Sequence, residues 1–134
     1  ASTIQHTNQL CKFYTQILVD IVSESYVQGR TFYVTEKTIR PMLLKKPFIV
    51  MGPKCFLIHL RQMGFRTFGD FWNEDYDGYE PGLRYQRILA LIDSLAKRSH
   101  SELVDMYNSM QAVLDHNYNM LVQTRFQTDI HYVE

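Results

Sequence analysis

The residues best suited to chemistry lie in one short run, Phe32-Tyr33-Val34-Thr35-Glu36-Lys37-Thr38-Ile39-Arg40. A loop gives way to a helix here, with Thr35 placed to cap it and Glu36 acidic in its first turn. A helix N-terminus presents N–H groups and partial positive charge to phosphate. Lys37 and Arg40 are three apart, hence neighbours on one helix face, and are spaced to hold a diphosphate. Glu36 only accepts hydrogen bonds, which suits a pair of ribose hydroxyls, and Tyr33 is able to stack against a base. The run reads as a site for a nucleotide diphosphate. It reads equally as a plain solvated helix face, since Glu, Lys and Arg are the usual residues of such a face.

The elements that must position this run follow an α/β rhythm. Asn8 to Thr15 is mixed and fits a short helix, and Ile17 to Val22 reads as a buried strand, short, β-branched and almost wholly apolar. Ser23 to Arg30 reads as a loop. The helix capped by Thr35 runs through Ile39, Met42, Leu43 and Leu44, with Pro41 predicting a kink or a short first segment. Pro47 to Met51 is a second buried strand, closed by Gly52-Pro53. Cys55 to Met63 has helical spacing and stops at Gly64. Phe65 to Phe68 reads as a third short strand, so that strands and helices alternate as in parallel βαβ units. Ligands of such folds bind at the carboxyl ends of the strands.

Beyond Gly69 the pattern changes. Phe71 to Pro81 is acidic and aromatic without a period, and reads as a loop. Leu83 to Lys97 predicts an amphipathic helix with Tyr85, Ile88, Leu89, Ile92 and Leu95 on its buried stripe. Ser99 and Glu102 form a capping-box pair opening a last helix that carries Leu103, Met106, Met110, Val113, Leu114 and Leu121, with Met120 also assigned to the core. Residues after Thr124 read as a frayed tail. The fold expected is therefore α/β: a Rossmann-like parallel-sheet half domain over residues 1–98, with a C-terminal helix and tail, 99–134, packed on it.

The remaining polar groups suit ordinary roles better than chemistry. His59 and His116 have no neighbours at metal spacing and read as structural or surface residues, so no metal site is expected. Cys11 and Cys55 read as reduced thiols, Cys55 as a packing residue rather than a reactive thiolate. Asn73-Glu74-Asp75-Tyr76-Asp77 offers ligands for Mg²⁺ or an acceptor, but reads better as a solvated turn. Lys45-Lys46 suits the basic end of a helix.

Composition sets the outer bounds. The chain of 134 residues is 46% hydrophobic and 13% aromatic, with 14 Lys and Arg against 14 Asp and Glu. That content opposes disorder, and the balanced charge opposes a general nucleic-acid binder, which needs excess cations for phosphates. No apolar run approaches the ~18 residues of a membrane span and no basic-then-apolar leader is present, so a cytoplasmic location is expected. The chain begins with Ala1 rather than Met, which suits a processed piece or part of a longer protein.

The segment Tyr33-Val34-Thr35-Glu36-Lys37, followed by Arg40, Leu43, Pro47, Val50 and Gly52-Pro53, resembles the conserved block of fucosyltransferases of the GT-B glycosyltransferase fold. Ser23-Glu24-Ser25 is similar to the Glu-Asn-Ser that precedes that block. Residues 17–78 also resemble uncharacterised glycosyltransferase-like proteins of phages and environmental sequences, including Gly64 to Tyr76. Pro41 stands where the family has Asn. The resemblance implies that Glu36 binds the ribose of a nucleotide sugar, Lys37 its diphosphate, and that Tyr33, Glu24 and Ser25 belong to the same pocket. It implies no cofactor beyond the donor substrate, and it implies a partner half domain, N-terminal to this one, that supplies the catalytic base. The expected function is the donor-nucleotide-binding half of a glycosyltransferase transferring a sugar to a hydroxyl acceptor. The alternative is a non-catalytic α/β module that mediates assembly with a protein partner.

Overall fold

The computed structural model describes residues 18–24 and 34–132, those from 124 onward as backbone only. The expected helix at 8–15, together with Cys11, Ser25 and Tyr33, lies outside the described residues. Within them the protein is mixed α/β. Strand β1 is Asp20–Ser23, helix α1 Glu36–Leu43, strand β2 Phe48–Met51 and helix α2 Phe56–Gln62. A 3-10 turn, Asp75–Gly78, leads into α3 (Pro81–Ala96), α4 (His100–Ser109) and α5 (Gln111–Tyr132).

β1 and β2 pair in parallel, with Asp20 opposite Phe48 and Ser23 opposite Met51. The ladder begins where Asp20 N–H reaches the Pro47 carbonyl at 2.9 Å, so β1 starts later than the apolar run at Ile17 suggested. It is also not buried throughout: Val22 is 4% exposed but Ile21 is 39% exposed. β2, by contrast, is buried from Phe48 to Val50 and carries the core.

Among the described residues the expected third strand does not form. Phe65 N–H donates to the Leu60 carbonyl at 3.1 Å, and side chains take the next backbone groups in place of a neighbouring strand. Arg66 N–H donates to Asn117 Oδ1 at 2.8 Å, and Asn117 Nδ2 donates back to the Arg66 carbonyl at 2.9 Å. Phe68 N–H donates to Glu74 Oε2 at 3.1 Å. Its ring nonetheless enters the core, edge-on to Phe48 at 5.0 Å.

α1 runs through Pro41, where the sequence predicts a kink or a short first segment. α1 ends at Leu43 in a Schellman arrangement, Lys46 N–H donating to the Pro41 carbonyl and Lys45 N–H to that of Met42. Lys45 takes the left-handed conformation at φ 53°, where glycine is usual. Its side chain pairs with Asp115 at 3.1 Å and lies over the Tyr118 ring. Tyr107 donates to the Lys45 carbonyl at 3.0 Å. Thus α4 and α5 hold the C-terminal end of α1.

The helical region differs from expectation in three places. α3 is rolled so that Arg84, Ile88 and Leu95 face inward, leaving Tyr85 and Leu89 exposed. The reason is Arg84, whose Nε donates to the Tyr76 carbonyl at 3.2 Å. The last helix is broken at Met110, after Ser109 Oγ turns back to the Asp105 and Met106 carbonyls. Finally, α5 continues to Tyr132, where a frayed tail was expected after Thr124. The capping box forms as read: Glu102 N–H donates to Ser99 Oγ and Ser99 N–H to Glu102 Oε1. Leu103, Met106, Met110, Val113, Leu114 and Leu121 all enter the core.

Candidate functional site

At the carboxyl end of β1, Glu24 meets the first turn of the helix that carries Glu36, Lys37 and Arg40. Glu24 follows β1 directly and extends its ladder, its N–H donating to the Met51 carbonyl at 2.9 Å. Its side chain turns inward and is buried. Oε1 accepts the Thr35 hydroxyl at 2.6 Å and the Thr38 hydroxyl at 2.8 Å. One buried oxygen thereby ties the end of β1 to the first turn of α1. Gly52, just after β2, makes room for this: a Cβ there would lie 3.0 Å from Glu24 Cβ and 3.2 Å from Val50 Cγ1. The glycine that reads in sequence as a strand terminator also leaves room for the close approach of Glu24.

Thr35 caps α1 as expected. Its backbone is extended and its Oγ1 accepts Lys37 N–H at 3.2 Å. The chain's own cap therefore occupies one of the first-turn donors that phosphate binding would use. Glu36, Lys37 and Arg40 are exposed on the same helix. Neither Lys37 nor Arg40 forms an ion pair with a described residue. The burial of Glu24 and its two threonine partners make it a positioning group for α1.

The acidic loop has a structural role that spacing did not reveal. Cys55, the residue before α2, has φ 67° and offers that helix no side-chain cap. Asp77 supplies one from a distance in sequence: Oδ1 accepts Leu57 N–H at 2.9 Å, Oδ2 accepts Ile58 N–H at 3.4 Å, and its carbonyl accepts Cys55 N–H at 2.8 Å. Beside it, burial and the Glu74 carboxylate push the Tyr76 phenol well above its ordinary 10.0. It stays a neutral core group against Val50 N–H. Burial likewise raises Glu74 above its ordinary 4.5, opposed by hydrogen bonds from Phe68 N–H and Thr67 and by the Arg61 charge. Asp77 and Tyr76 are buried, so the solvated turn expected here is instead packed inward. Asn73 Oδ1 accepts Asp75 N–H at 2.9 Å, an Asx turn.

Of the three described imidazoles, His59, His100 and His116, the last joins Nε2 to the Gly64 carbonyl at 2.8 Å, which requires Nε2 to carry the proton. Among the described residues no group of three or more His, Cys, Asp or Glu side chains comes together for a metal. Nor is any described helix long and apolar enough to cross a membrane. What fold and geometry define is a mixed α/β protein with a polar helix start at the carboxyl ends of a parallel strand pair. Comparison with known proteins gives no match to a family model, a curated protein or a solved structure.

Proposed function

We propose that this chain is the donor-nucleotide-binding half of a GT-B glycosyltransferase, a Rossmann-like half domain that takes a nucleotide-diphosphate sugar. The observation that carries the reading is the Glu24 tie, which fixes the first turn of α1 at the carboxyl ends of the strands. Exposed Glu36 is then presented to ribose hydroxyls, and exposed Lys37 and Arg40 to a diphosphate. In a transferase the two cations would offset charge on the departing diphosphate. The base that activates the acceptor hydroxyl would come from a second half domain. Calorimetric titration of the chain with GDP, UDP and their sugars tests this. Binding is expected, weakened about tenfold by Glu36→Ala and by Lys37→Ala, the loss of one charge-assisted hydrogen bond each. No heat at millimolar nucleotide, or binding indifferent to both substitutions, refutes it.

A non-catalytic assembly module is the second reading, favoured by Leu83, Tyr85 and Leu89, large side chains left exposed on α3. It predicts a partner whose association is lost on Tyr85→Ser with Leu89→Ser, while Lys37→Ala leaves it intact.

A further inference from the structure

A second concavity lies apart from the strand ends, at the C-terminal side of α2. It is an open cleft of about 540 Å³, within the range of small-molecule sites, ~300–1,000 Å³. It shares no residue with the Glu36–Arg40 cluster. Arg61, Arg66, Thr67, Asp70 and Glu74 supply its polar atoms, and the buried Phe65 and Val113 its apolar floor.

Arg61, Thr67 and Glu74 are tied to their neighbours, while Arg66 and Asp70 are exposed at the rim. Arg61 Nη1 donates to Thr67 Oγ1 at 2.8 Å and lies 3.8 Å from Glu74 Oε1. Glu74 Oε2 accepts Phe68 N–H at 3.1 Å. The Glu74 side chain is 9% exposed, so its carboxylate is fixed in orientation at the cleft wall. Gly69 stands over it. Its φ is not in the left-handed region, so its backbone does not call for glycine. A Cβ there would instead lie 3.2 Å from Glu74 Oε1 and crowd that oxygen.

The charge pattern selects the ligand. A phosphate drawn by Arg61 and Arg66 would meet Glu74 and Asp70, and a cation drawn by the carboxylates would meet the guanidinium groups. A neutral polyol satisfies both, because each hydroxyl both donates and accepts. We propose that this cleft binds a neutral saccharide, with Glu74 and Asp70 accepting from its hydroxyls and Arg61 and Arg66 donating to them. The proposal stands independently of the nucleotide reading.

The test is ¹H–¹⁵N NMR of the whole chain titrated with lactose, maltose, cellobiose and sucrose at up to about 50 mM, above the ~1 mM range of weak binding. Shifts confined to the amides of Thr67, Gly69, Asp70 and Glu74 are expected with at least one disaccharide. Glu74→Gln keeps an acceptor for Phe68 N–H and so leaves the fold intact, but should weaken binding about tenfold. Gly69→Ala should weaken it with an unchanged spectrum elsewhere. Lys37→Ala should not weaken it, which separates this site from the nucleotide site. The proposal is overturned if no disaccharide shifts these amides, if inorganic phosphate shifts them and the sugars do not, or if Lys37→Ala abolishes the effect.

Discussion

Glu24→Ala removes the oxygen to which both Thr35 and Thr38 donate, at 2.6 and 2.8 Å. Hydrogen bonds to a charged acceptor contribute about 1.5–3 kcal/mol each, and an orphaned buried hydroxyl loses most of that. The two threonines differ. Thr38 is 0% exposed, and its remaining acceptor is the carbonyl one helical turn back. Thr35 is half-buried and regains water. Taking about 2 kcal/mol for Thr38 and about 1 kcal/mol for Thr35 puts the loss near 3 kcal/mol. With about 2.1 cal/mol/K of unfolding entropy per residue over 134 residues, that is a fall in Tm of roughly 10 °C. Glu24→Gln keeps a carbonyl acceptor in the same place and loses only the charge, about 1 kcal/mol. Urea denaturation followed by circular dichroism measures both. The reasoning is refuted if alanine costs under about 1 kcal/mol, or if glutamine costs as much as alanine.

Two further substitutions probe the loop and the cleft. Asp77→Ala strips the cap from α2 and leaves Leu57 N–H buried without its 2.9 Å partner. We expect a loss of about 2–3 kcal/mol in urea denaturation, of which Asp77→Asn restores roughly half. For Glu74, burial raises the folded pKa above the ordinary 4.5. The folded state therefore holds this proton more tightly than the unfolded chain, and the stability it confers is present in acid and lost as pH rises from 4.5 through the folded value. Glu74→Gln should consequently be more stable than the parent at pH 7, with the difference shrinking towards pH 4. Denaturation across that range checks the sign, and a difference independent of pH contradicts it.

Much of the fold is legible because its signals are local. Thr35 caps α1 with its own hydroxyl, Ser99 and Glu102 cap α4 within one turn, and the apolar run at Phe48–Val50 is buried wherever it is placed. The places where reading by pattern fails share a cause: a side chain distant in sequence replaces the expected partner. Asn117 occupies the backbone of Arg66, so a segment with strand composition is no strand. Arg84 reaches the carbonyls of Tyr76 and Asp77, so α3 turns a different face inward from the one its apolar stripe predicts.

The same division holds for the candidate sites. Sequence alone determined that Glu36, Lys37 and Arg40 belong to one capped helix with Lys37 and Arg40 on one face, because helical spacing and a threonine cap require no other part of the chain. Only tertiary structure decided that Glu24 is the buried tie holding that helix to the sheet. Only it decided, too, that Asp77 caps a helix it follows by 20 residues at Leu57. It likewise assembled Arg61, Thr67 and Glu74 around one cleft. The physical reason is that a buried carboxylate must find donors, and the fold, not the spacing, sets which donors come within reach.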